Sequence, residues 1–281
     1  MSVRALILLL FLSGPAFAQG FAGLGASGEG YALPDPETRF RFPADHGAHP
    51  SFRIEWWYVT ANLKGDDGED YGLQWTLFRN ALSPTGHDED QAWMAHAAVS
   101  APDGHRHAER LARGGIGQAG VVAEPFRAFI DEWVIEGPSL SDIRIYAQGT
   151  DFAYDITAKT DLPFVPQGAN GFSVKSDAGQ ASHYYSQPFY KVDGTLTFPD
   201  RTVAVTGQAW LDREWSSAPL TPTQTGWDWI SLHLNSGEKL MGYRLRDQSG
   251  DAYTVGTWIT PAGQPEPLKP GELTMTAKDT S

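Results

Sequence analysis

The chain has 281 residues, 41% hydrophobic and 12% aromatic, enough apolar content for a buried core and too much for wholesale disorder. Thirty glycines and nineteen prolines without a period exclude collagen and long helical bundles, and ten tryptophans with ten tyrosines favour strands. With 21 Lys+Arg against 34 Asp+Glu the formal charge is −13 and no basic stripe is visible, which argues against a nucleic-acid partner; zero cysteines remove thiol nucleophiles, cysteine-ligated zinc and iron–sulfur clusters.

Arg4 precedes the apolar run Ala5 to Leu12, and Pro15 and Ala16-Phe17-Ala18 precede Gln19. This pattern predicts a secretory signal peptide over residues 1–18, cleaved after Ala18, and a periplasmic or secreted protein. The leader is too short for a comfortable membrane span, and no later apolar run reaches spanning length. The lack of cysteine suits an oxidising compartment. Residues 19–45, rich in Gly, Pro and Ala, read as an exposed extended arm.

From Ile54 the pattern turns β-branched and aromatic. Trp56 to Leu63, the turn cluster Lys64 to Gly68, and Tyr71 to Arg79 predict a hairpin. Further strands are predicted at Trp93–Val99, Trp133–Glu136, Ile143–Tyr146, Phe152–Ala158, Tyr184–Ser186 and Gly194–Phe198. Short strands at this spacing, separated by Gly, Asp and Pro, indicate an all-β barrel or sandwich. The best short helical candidate is Ala108 to Ala112. Trp227 to Leu234, a turn at Asn235-Ser236-Gly237, and Lys239 to Arg246 echo the first hairpin about 170 residues on, pairing Trp56 with Trp227 and Tyr58 with Trp229. The echo predicts two related β-domains, at residues 46–205 and 206–281. Any two amphipathic hairpins look alike, so chance similarity is the competing explanation. Only about 55 residues follow Trp227. A closed barrel takes about eight strands, so the second unit is expected to be a partial sheet leaning on the first, or the chain a shortened form.

Two segments set acids among indoles, Glu55-Trp56-Trp57-Tyr58 and Trp210-Leu211-Asp212-Arg213-Glu214-Trp215. Strand alternation puts Trp210, Asp212 and Glu214 on one face and Leu211, Arg213 and Trp215 on the other. Paired, buried carboxyls raise each other's proton affinity, and a carboxyl kept protonated near neutrality serves as a general acid. The plainer alternative makes Asp212 and Glu214 partners of Arg213 or hydrogen-bonding groups at a domain junction. Glu55 likewise reads either as a ligand-site acid or as a buried partner of an arginine such as Arg79. His96 is either a satisfied core histidine or a polar tip in a cavity, and Tyr184-Tyr185 either core filler or a pocket hydroxyl. His87-Asp88-Glu89-Asp90 and His105-Arg106-His107 read as loops without metal-site spacing, so neither metal nor other cofactor is expected. No Gly-x-Ser-x-Gly elbow and no phosphate-binding glycine loop is found.

The runs His49 to Tyr58, Gln74 to Arg79, Met94-Ala95-His96-Ala97, His183 to Ser186 and Gly207 to Trp215 resemble the AttH / carotenoid 1,2-hydratase-like family, in order, over residues 40–260. The resemblance implies an all-β fold of tandem lipocalin-like (calycin) antiparallel barrels, the second incomplete in this chain because members continue further. It implies an exported protein that binds a hydrophobic, isoprenoid or lipid-like molecule in an aromatic cavity. The expected ligand-binding residues are Glu55, Trp56, Trp57, Tyr58, His96, Tyr185, Trp210 and Trp227. The alternative it implies is a hydro-lyase adding water to an isoprenoid or carotenoid double bond, with Asp212 and Glu214 as catalytic residues; a weaker alternative, a hydrolase of lipid-like esters, lacks a nucleophile constellation. The predicted segment Asp212-Arg213-Glu214-Trp215 looks like the AttH branch rather than the hydratase branch.

Overall fold

The computed structural model describes residues 27–250 and 252–276. The leader expected over residues 1–18 lies outside the described residues. Among the described residues no helix is long and apolar enough to cross a membrane.

The hairpin predicted first is β1 (Ile54–Gly65) and β2 (Asp70–Ala81). Gly68 takes φ +86° in its turn, a left-handed conformation open to glycine. Then follow β3 (Gln91–Ala101), β4 (Gly104–Arg113), β5 (Ala119–Val122), β6 (Phe126–Ile130), β7 (Trp133–Ser139), β8 (Asp142–Gln148) and β9 (Ala153–Lys159). The short β10 (Val165–Pro166) and β11 (Phe172–Val174) precede two long strands, β12 (Ala181–Thr197) and β13 (Thr202–Ser216). All pair antiparallel in the order β4-β3-β2-β1-β13-β12-β9-β8-β7-β6-β5, with β10 and β11 also on β12. The sheet curls until β6 meets β2, β3 and β4, giving a nearly closed barrel. Every second residue points inward, and Trp57, Val59, Trp75, Leu77, Trp133, Tyr154 and Leu211 fill the barrel at 0–1% exposure. Full burial of each such side chain stabilises by roughly 1.5–3 kcal/mol.

A second, four-stranded sheet comprises β14 (Gln224–His233), β15 (Lys239–Asp247), β16 (Ala252–Ile259) and β17 (Pro265–Pro267). It leans on the outer face of the barrel, where Met241, Tyr243, Leu245 and Ile259 form one apolar cluster with Val165, Tyr184 and Trp210. Tyr243 donates to the Val174 carbonyl at 2.9 Å, and Gln224 Nε2 to the Lys175 carbonyl at 2.9 Å.

Three sequence expectations change. The boundary read between residues 205 and 206 falls inside β13, and the second sheet starts only at Gln224: β13 is the strand that joins β1 to β12, so its acidic segment belongs to the barrel. Ala108 to Ala112 is not helical but part of β4, where successive residues alternate in exposure; the same strand takes in His105-Arg106-His107, read as a loop. Tyr184–Ser186 and Gly194–Phe198 are not separate strands; all but Phe198 belong to β12, with a register shift between Gln187 and Tyr190. The described part of the arm is mostly exposed, and its aromatic side chains anchor it. Phe40 packs 5.4 Å from the rings of Tyr185 and Trp215, and Phe42 stacks on His46 at 4.6 Å, which holds the arm against the barrel core.

Candidate functional site

The inward side chains of the barrel are buried, and the cavity lies on its outer face. The outward residues of β1, β2, β3, β12 and β13 face the aromatic side of β14 and β15 across a half-open cavity of about 340 Å³. Trp56, Tyr58, Thr76, Phe78, His96, Tyr184, Asp212 and Glu214 come from the barrel, and Trp227, Trp229, Tyr243 and Leu245 from the second sheet. The repeated hairpins thus face each other. Tyr58 and its sequence echo Trp229 meet edge to face at 5.5 Å.

Strand register decides which barrel residues stand side by side, because residues directly opposite in an antiparallel pair share a face. Ser186 lies opposite Asp212, Asp212 opposite Tyr58, Tyr58 opposite Thr76 and Thr76 opposite His96. Five strands therefore contribute one polar row. The next row is Tyr184, Glu214, Trp56 and Phe78.

Asp212 is the chemical centre. Its Oδ1 accepts three hydrogen bonds, from Ser186 Oγ at 2.6 Å, Trp210 Nε1 at 2.8 Å and Tyr184 Oη at 2.9 Å. Burial pushes this carboxyl up to about 7, with the charge of Glu214 adding to the rise and the three donors opposing it. Near neutrality this carboxyl therefore holds a proton far more readily than an ordinary aspartate. Since Oδ1 is saturated with donors, that proton belongs on Oδ2. Tyr184 in turn accepts from Trp229 Nε1 at 3.4 Å, which couples the acid to the second sheet. Burial raises the Tyr58 phenol, whose oxygen accepts from Gln74 Nε2 at 2.9 Å.

Glu214 is held differently. Its Oε1 accepts from Ser182 Oγ and pairs with Lys175 Nζ at 2.8 Å. Lys175 Nζ also sits 4.2 Å from the Tyr243 ring centroid and 5.1 Å from that of Tyr184. Burial alone would lower this ammonium, but Glu214 and Tyr243 overcome it and hold it above its usual range.

Of the residues singled out from sequence, Trp56, Tyr58, His96, Asp212, Glu214 and Trp227 line the cavity. Trp210 stands behind Asp212 as a donor. Glu55, Trp57 and Tyr185 do not reach it, because each is one residue out of phase and points into the barrel. Glu55 pairs there with Arg79 and Arg213, whose guanidinium lies 3.7 Å from the Trp57 ring centroid. Tyr185 is hydrogen-bonded to His46 Nδ1 at 2.7 Å. The alternation rule applied to Trp56 and Asp212 would have separated these faces. Choosing Tyr184 over Tyr185 required the register between β12 and β13. Lys175, in a loop after β11, carried no sequence signal, and Thr76 and Tyr243 needed the register of both sheets.

A nearly closed antiparallel barrel with a second sheet on its outer face and an aromatic cavity between them defines a lipocalin-like β-protein. The AttH-like family model matches residues 33–281, and the chain belongs to that family. It is similar to the crystal structure of an AttH-type protein from Nitrosomonas europaea, with 35% identity and a TM-score of 0.76 over 85% of this chain and 75% of that one. It is also similar to kievitone hydratase from Nectria haematococca, with 15% identity and a TM-score of 0.57 over 84% and 72%, a likeness of fold alone. No curated protein matches the sequence.

Proposed function

We propose that this protein is exported and binds an apolar small molecule, isoprenoid or lipid-like, in the cavity between its two sheets. The observation that carries the reading is the cavity itself, about 340 Å³ and walled by three indoles and several phenyl and phenol rings. Such a space rewards an apolar shape, and its few polar groups fix orientation. The leader-like residues 1–18 support export. Mass spectrometry of an organic extract of protein purified from its host tests the reading; an extract free of any co-purified apolar compound counts against it.

The state of Asp212 favours a second, finer reading, a hydro-lyase acting on an isoprenoid double bond. The protonated carboxyl gives its Oδ2 proton to one alkene carbon, and the π electrons form the new C–H bond. The cation left on the substituted carbon faces the rings of Trp56, Trp227 and Tyr243, which stabilise positive charge. Water adds to that carbon, and its surplus proton returns to the Asp212 carboxylate. Glu214, with Oε1 held by Lys175 and Ser182, keeps Oε2 to orient the water. A hydratase from Nectria haematococca shares the fold. Asp212→Asn separates the two readings: turnover is lost while ligand retention survives. Unchanged turnover would make Asp212 structural.

A further inference from the structure

The row containing Trp56 does not stop at the cavity. Trp56 lies opposite Phe78, Phe78 opposite Met94, and Met94 opposite Leu111 on β4, so all four share the outward face. Trp56 and Phe78 line the cavity, Met94 is half-buried, and Leu111 is 68% exposed at the edge of the sheet. Leu111 is the one apolar side chain on the outward side of β4, whose other outward residues there are His105, His107, Glu109 and Arg113. The rows on either side are mostly polar over β2, β3 and β4, while on β1 the flanking residues are Tyr58 and Ile54. Thr76, His96 and Glu109 run along one flank, and Asn80 and Arg113, with Ala92 between them, along the other. The result is an apolar lane, flanked over β2–β4 mainly by polar residues, that runs from Trp56 across three strand spacings, about 14 Å, the last two of them beyond the cavity. Isolated exposed apolar residues need no explanation. Here the exposed leucine ends an unbroken row that begins at the cavity wall.

We propose that this lane is an extended subsite for the tail of a linear isoprenoid longer than the cavity, with the reacting end beside Asp212 and the tail over Phe78, Met94 and Leu111. The inference rests on the binding reading above and names the shape of its ligand: unbranched in outline, one chain wide, apolar along its length.

All-trans prenyl alcohols of ten, fifteen and twenty carbons test it, with quenching of tryptophan fluorescence as the measure of affinity. The mature protein should bind the twenty-carbon alcohol more tightly than the ten-carbon one. Leu111→Asn combined with Met94→Thr should weaken the longest alcohol about tenfold and leave the shortest unchanged, since only the long chain reaches these positions. Leu111 alone, being exposed, serves as a second variant that cannot disturb the core, and thermal melting confirms the fold of both. Equal affinity of wild type for all three lengths, or equal weakening of all three in the variants, overturns the lane while leaving the binding reading intact. Binding of none of them overturns both.

Discussion

Strands β1 and β13 lie side by side, and their two faces hold opposite solutions to the problem of a buried carboxylate. On the inner face Glu55 sits between Arg79 and Arg213, with His49 Nδ1 3.2 Å from it. Burial would raise this carboxyl, but Arg213 and Arg79 overcome the effect and hold it well below the usual range. The Arg79 guanidinium also donates to the His49 and Phe52 carbonyls at 2.9 and 2.8 Å, so the ion cluster ties the segment before β1 to the sheet. On the outer face Asp212, one residue from Arg213, has donors but no cation on its oxygens, and it stands near neutrality at about 7. The same pair of strands thus holds one acid charged among arginines and the other near its neutral form. Charge matching by arginine, not burial, separates the two.

The largest expected effect breaks the inner side. Glu55→Gln leaves two buried guanidiniums without a carboxylate and should cost about 3–5 kcal/mol in a urea denaturation curve. A loss below about 1 kcal/mol, the size of an exposed pair, would show that the cluster does not hold the fold. Next comes the outer acid. Asp212→Asn should reduce turnover of an isoprenoid alkene by about 10²–10⁴-fold, with ligand affinity retained. Trp227→Ala should weaken ligand binding about tenfold by removing one indole wall, as read by titration of the purified variant; unchanged affinity would place the ligand outside the cavity.

The pH dependence sharpens the contrast further. Folded Asp212 titrates at about 7, above its ordinary value of 3.8. The native state therefore holds more protons between those values, so stability should fall as pH rises from about 4 to about 7 and level off beyond. Asp212→Asn should flatten that slope. On the hydro-lyase reading turnover needs the protonated acid and should decline as pH rises through about 7. For Glu55 the sign reverses: its contribution is present above the ordinary carboxylate range and is lost only in strong acid. The smallest effect belongs to Trp210→Phe. Removing one donor that lowers Asp212 should move the descending limb of the pH–rate profile upward by less than a unit; a downward shift would sink the assignment of the proton to this carboxyl.

Alternation along β1 and β13 made much of the site legible. It set Asp212 and Glu214 on one face and Arg213 on the other, and the aromatic echo of Trp56 and Tyr58 at Trp227 and Trp229 marked both walls. The partners of Asp212 were harder to see. Tyr184 and Ser186 meet it because β12 and β13 pair in one register, which no local pattern states; Trp210, two residues back on the same strand, was on its face by alternation. Lys175 reaches Glu214 from a loop, where side-chain direction follows no period.

What the sequence determined by itself is the β-class, the hairpins and the split of each strand into two faces, because those follow from a two-residue period and local turn chemistry. It also carried the family resemblance that the family match now establishes. The tertiary structure decided that β13 joins the barrel beside β1, that the inward side chains are buried, and that the cavity lies between barrel and second sheet. Those outcomes depend on strand register and on packing between residues far apart in the chain, and only the folded chain brings such residues into contact.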